Sequence, residues 1–118
     1  MVTSVKKLKI DFKFLSMMSS VEILDLSATN LADLEMVACC MSVVSLDISQ
    51  TKVRRLEPIR GLTRLRSLNI QKAMVKKLMP VACLSSLKSV CLGAREYDLY
   101  DLSKLRGFSR AGNKLIFD

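Results

Sequence analysis

The chain has 118 residues, half of them apolar and only 5% aromatic, so its core must be built from Leu, Ile, Val and Met and its length suits one domain. The net charge of +8 is uneven: residues 1–50 carry four Lys against six acids (−2), and residues 51–118 carry 15 basic against five acidic residues (+10). Histidine is absent, which removes the commonest general base and metal ligand. The longest charge-free stretch, 36–46, falls well short of the roughly 20 apolar residues that a membrane span needs, so membrane insertion is not expected.

In chain order, residues Met1 to Phe14 mix Lys6, Lys7, Lys9, Asp11 and Lys13 with apolar positions. They hold no apolar run of the kind a secretory signal carries. The expectation is an intracellular (cytoplasmic or nuclear) chain whose Cys39, Cys40, Cys83 and Cys91 are free thiols. Leu8-x-Ile10 predicts a first strand near residues 7–11, with an abbreviated return between Met18 and Val21. Further strands are predicted at 22–26, 44–48, 66–70 and 88–92. A sixth, at 114–117, is reached through an enlarged return over 95–112.

These strands rest on a repeat of 22 residues. Val21-x-x-Leu24-x-Leu26 recurs as Val43-x-x-Leu46-x-Ile48, Leu65-x-x-Leu68-x-Ile70 and Leu87-x-x-Val90-x-Leu92. Leu31, Val53 and Val75 follow in step, as do Leu34, Leu56 and Leu78, and Pro58 lies 22 before Pro80. Leu-x-Leu alternates as a strand does. The spacing of three through Val53, Leu56, Ile59, Leu62 and Leu65 suits a 3-10 or short helical return. Each unit leaves apolar surface on its stacking faces, which its neighbours bury.

A period in this range with L-x-x-L-x-L resembles the leucine-rich repeat. The unit complete in Leu46 to Leu68 is similar to the protein-phosphatase-1 regulator class. Internalins, an axonemal dynein light chain and a spliceosomal ribonucleoprotein subunit look alike at this level. The resemblance implies an α/β fold, a curved right-handed leucine-rich-repeat solenoid with a parallel sheet on its concave side and 3-10 or short helical convex returns. Residues 1–118 are then one domain of about five repeats with irregular first and last units. It also implies protein binding or, in one case, partnership with RNA-bound proteins. The family's turn asparagine is replaced by Thr29, Thr51, Ala73 and Arg95. A threonine hydroxyl can satisfy one backbone group; Ala73 cannot, and Arg95 would have to leave the core.

Strand alternation places Ile23, Asp25, Ser27, Ser45, Asp47, Ser49, Ser67, Asn69, Gln71, Ser89 and Cys91 on the concave face, with Lys9 and Asp11 extending it. Of these, Asp25, Ser45, Asp47, Ser67, Asn69, Gln71, Ser89 and Cys91 are the expected partner contacts. A second surface is basic. Residues 51–90 hold ten Lys or Arg and one acid, Glu57, and Arg54-Arg55 lies 22 before Lys76-Lys77, forming a ridge. Such a ridge suits an acidic protein or phosphates, but with no aromatic residue in that window base stacking is not supported.

The expectation is therefore a non-enzymatic protein-binding scaffold or adaptor. The alternative is a subunit of a ribonucleoprotein or nucleic-acid-associated complex that contacts phosphates through Arg54, Arg55, Lys76 and Lys77, with RNA or an RNA-bound protein as partner. No cofactor, metal or catalytic centre is expected. Cys39 and Cys83, equivalent positions two repeats apart with Gly61 between, are expected as small buried fillers. The short first return and the last strand at 114–117 leave three expectations open: a piece of a longer array, end-to-end self-association, or a partner that covers the open edge.

Overall fold

The computed structural model describes residues 2–4, 20–93, 97, 102–103 and 105–117. Six strands form one sheet in sequential order: β1 (Val2–Ser4), β2 (Ile23–Asp25), β3 (Ser45–Asp47), β4 (Ser67–Asn69), β5 (Ser89–Cys91) and β6 (Lys114–Ile116). Every pairing is parallel, and from β2 to β5 the register advances by the repeat itself, Leu24 facing Leu46, Leu46 facing Leu68 and Leu68 facing Val90. A parallel sheet of consecutive strands needs a return between each pair. Those returns hold the 3-10 turns Val37–Cys39 and Glu57–Gly61 and the α-helical turn Met79–Ala82. Pro58 and Pro80 sit in the first turn of the second and third of these, where a missing N–H costs nothing.

The repeat is a set of core columns. Leu24, Leu46, Leu68 and Val90 are at most 1% exposed. The columns Leu26/Ile48/Ile70/Leu92, Val37/Ile59/Val81 and Cys40/Leu62/Leu84 are buried alongside. Each coil therefore finishes its apolar cross-section only against the next coil, which is why one repeat alone has no closed core.

Beyond the strands the coils stay hydrogen-bonded: the Ala28 N–H donates to the Ser49 carbonyl and the Gln50 N–H to the Gln71 carbonyl, both at 2.9 Å. At these corners Ala28, Gln50 and Lys72 hold φ of 55, 56 and 60°, the left-handed region, at one repeat position. A side chain there costs about 1–2 kcal/mol, and glycine's extra chain entropy offsets only about 0.5–1 of that. Lys72→Gly is therefore expected to raise stability by about 0.5–1 kcal/mol; a lowered thermal midpoint would contradict the turn.

The first strand departs from the expectation at 7–11. The segment paired with β2 is Val2–Ser4, with Val2 facing Ile23, a spacing of 21, and residues 7–11 lie outside the described residues. The reason is the length of a coil. Returning to the sheet around the same core columns takes about one full repeat, and a spacing of 16 from Leu8 would not go round. Lys9 and Asp11 accordingly do not lie on β1. The sixth strand falls as expected. The enlarged return before it holds the helix Arg106–Arg110 and the fully buried Leu105, and the Tyr97 hydroxyl donates to the Leu92 carbonyl at 3.0 Å.

Candidate interaction surfaces

The concave row is built by in-register pairing. Asp25 faces Asp47, Asp47 faces Asn69 and Asn69 faces Cys91, while Ile23, Ser45, Ser67 and Ser89 form the parallel row beside it. Neighbouring strands lie about 4.8 Å apart. Two carboxylates at that range repel by about 1 kcal/mol in water.

Local hydrogen bonds hold that row in place. Asp47 Oδ1 accepts from the Ser49 N–H at 2.9 Å and the Ser49 hydroxyl at 2.6 Å. Asp25 Oδ1 accepts from the N–H and hydroxyl of Ser27 in the same way, and Asn69 Oδ1 accepts from the Gln71 N–H at 2.9 Å. The acidic or amide side chain thus closes the turn that leads into the left-handed corner. Asp25, Asp47 and Asn69 are structural at one oxygen, and all three are half-buried. The repeated Asp-x-Ser could have revealed this role in the sequence. Ser45, Ser67, Ser89 and Cys91 are half-buried too, and Ile23 is 44% exposed at the start of its strand. The Cys91 thiol donates to Gln71 Oε1 at 3.8 Å. Sequence reasoning did not include Ile116, which β6 adds beside Cys91 and which is 39% exposed.

The threonines stand in for the family's asparagine. Thr29 Oγ1 donates to the Leu26 carbonyl and Thr51 Oγ1 to the Ile48 carbonyl, each at 2.7 Å. At Ala73 the backbone N–H donates to the Ile70 carbonyl at 3.1 Å, closing the turn without a hydroxyl at that position. Arg95 lies outside the described residues.

On the flank between sheet and convex returns, Lys52 N–H donates to the Leu31 carbonyl and Met74 N–H to the Val53 carbonyl, both at 2.9 Å. With the 22-residue repeat, these bonds bring residues 52–55 beside 30–33 and residues 74–77 beside 52–55. Arg54, Arg55, Lys76 and Lys77 are all exposed. Arg55 Nε lies 3.6 Å from Glu57 Oε2, with the arginine side chain 81% exposed, so the pair contributes little. A surface hollow of about 260 Å³ opens beside it, between Asp33 and Glu35 of one coil and Arg54, Arg55 and Pro58 of the next.

The cysteines differ from expectation. Cys39 and Cys83 are exposed, and Cys40 is buried. In each coil the inward column is Cys40, Leu62 and Leu84, so the positions before it, Cys39, Gly61 and Cys83, point outward. Burial pushes the Cys40 thiol above its ordinary pKa, with the neighbouring Cys39 adding to it. Because the thiolate is the reactive form, Cys39 and Cys83 should be alkylated first in the folded protein and Cys40 only after unfolding. Mass-mapped labelling checks this, and equal rates for Cys39 and Cys40 would contradict the column assignment. Among the described residues no group of three or more Cys, Asp or Glu is arranged to hold a metal, and no helix is long and apolar enough to cross a membrane.

No protein-family model and no curated protein matches the chain. Solved structures do. An internalin (inlF) from Listeria monocytogenes is 25% identical with a TM-score of 0.69 over 80% of this chain and 28% of that one. Internalin C2 from the same organism is 20% identical with a TM-score of 0.77 over 98% of this chain and 51% of that one. Together with the register and core columns, this makes the chain a leucine-rich-repeat solenoid. Its repeats resemble those of internalins, and it spans between about a quarter and a half of the length of these two structures.

Proposed function

We propose that this solenoid is a non-enzymatic protein-binding scaffold whose main contact is the concave row Asp25, Asp47 and Asn69, with Ser45, Ser67, Gln71, Ser89 and Cys91 around it. The observation that supports this reading most is the row itself: half-exposed polar groups at one strand position, in register on three neighbouring strands and tied down by their own turns. Such a surface loses little side-chain entropy when a partner arrives. The serines leave room for a partner's backbone, and the two adjacent carboxylates favour one that brings Lys or Arg.

The exposed cations Arg54, Arg55, Lys76 and Lys77 support the other reading, phosphate contact within a ribonucleoprotein. The two separate in one comparison on a partner that co-purifies. Asp25→Ala with Asp47→Ala is expected to weaken binding at least tenfold, about 1.4 kcal/mol. Arg54→Glu with Lys76→Glu is expected to cost less. A silent Asp pair, with affinity for RNA that falls steeply with salt as counterions are released, would reverse the assignment.

A further inference from the structure

We propose that the flank formed by Arg54, Arg55, Lys76 and Lys77 together with Met74 and Met79 is a docking surface for an extended acidic peptide segment that carries apolar side chains. This surface is separate from the concave row, and the inference does not depend on the reading given to that row.

Two independent observations meet here. The first is charge. The coil 64–85 carries five cations, Arg64, Arg66, Lys72, Lys76 and Lys77, and no acid. The Met74 N–H to Val53 carbonyl bond ties the two coils together here, and the 22-residue repeat places Arg54 and Arg55 at the positions equivalent to Lys76 and Lys77. Among the described residues the one ion pair on this flank is that of Arg55 with Glu57. Arg54 and Arg55 share their hollow with Asp33, Glu35 and Glu57, whereas Lys76 and Lys77 lie in a coil without an acid, so the ridge keeps a net positive charge that an acidic partner complements.

The second observation is apolar exposure. Met74 and Met79 are 40% and 41% exposed and bracket Lys76-Lys77 in the chain. Their repeat equivalents in the two preceding coils are Asn30 and Lys52, and Glu35 and Glu57. The third coil therefore presents methionine where the first two present polar groups. Methionine is a flexible, polarisable contact that adapts to varied apolar side chains. A phosphate backbone makes no use of it, and the window lacks the aromatic rings on which bases stack. A second copy of this chain fits worse. The coil 20–41, with four acids and no cation, could face the basic coil of a two-fold mate, but the axis would then run through the middle coil and set Arg54 and Arg55 against their own copies.

The test is fluorescence anisotropy with three labelled probes: a peptide alternating Glu with Leu, one alternating Glu with Ser, and oligouridylate RNA. The Glu–Leu peptide is expected to bind about tenfold tighter than the Glu–Ser peptide. Met74→Ser with Met79→Ser should erase that margin and leave Glu–Ser binding unchanged. Arg54→Glu with Lys76→Glu should abolish binding of both peptides. All the substituted flank side chains are exposed, and unchanged circular dichroism and thermal midpoints verify that the variants fold. Equal binding of the two peptides, tighter binding of the RNA, a silent methionine pair, or self-association that the charge reversal abolishes would each overturn the proposal.

Discussion

Leu68→Ala is expected to lower the unfolding free energy by about 3 kcal/mol, the usual cost of emptying a leucine site in a close-packed core. Leu68 is 1% exposed and stands in the middle of its column, between Leu46 on β3 and Val90 on β5. A cavity there takes contacts from the coils on both sides at once, and in a solenoid each coil is stabilised chiefly by its nearest neighbours. The whole domain is worth only about 5–15 kcal/mol, so the loss should be plain as a fall in the urea midpoint. The same change at Leu115, half-buried on β6, should cost less than half as much. Equal costs at the two sites would contradict the stacked-column core.

Gly93→Ala should be the next most damaging substitution, at about 2–3 kcal/mol. Gly93 holds φ +76°, and a Cβ built on it would lie 2.8 Å from Gln71 Cγ and 3.3 Å from Gln71 Cα. A left-handed alanine costs about 1–2 kcal/mol, and the approach to the Gln71 backbone adds to it because backbone cannot step aside. Gly61→Ala is the control. Nothing lies within 4 Å of its would-be Cβ and its φ is ordinary, so it should be neutral or stabilising by up to about 1 kcal/mol. Chemical denaturation of the two variants side by side checks the contrast. A Gly93→Ala protein as stable as Gly61→Ala would mean that the last coil does not close against Gln71.

The architecture was legible because a solenoid writes its contacts into a period. Leu24, Leu46, Leu68 and Val90 are 22 apart because they touch, and the concave row follows from alternation along each strand. The first strand was not legible by that route, since the period is broken before β2 and the spacing from β1 is 21 rather than 22. Leu8-x-Ile10 has the right pattern, yet Val2–Ser4 has the right distance, and coil length decides. The cysteines were misplaced for a related reason: period 22 shows that Cys39 and Cys83 are equivalent but not which way they point, and the neighbouring column of Cys40, Leu62 and Leu84 fixes that. The left-handed corners at Ala28, Gln50 and Lys72 carry no glycine or asparagine, so they left no turn signal of their own. The Asp-x-Ser pairs before the first two of them were the available one. The role of Asp25 and Asp47 as turn closers explains why two acids stand side by side on a sheet, without lessening what they offer to a partner.

The concave face as the partner surface is tested by site-specific photo-crosslinking, with the reactive residue placed either at Ser67 on the sheet or at Thr63, exposed in the turn that follows the 3-10 segment Glu57–Gly61. A partner is expected to be captured from Ser67 and not from Thr63, and Asp25→Ala with Asp47→Ala is expected to abolish that capture. Capture of the same partner from Thr63, or capture from Ser67 that is indifferent to both aspartates, would contradict it.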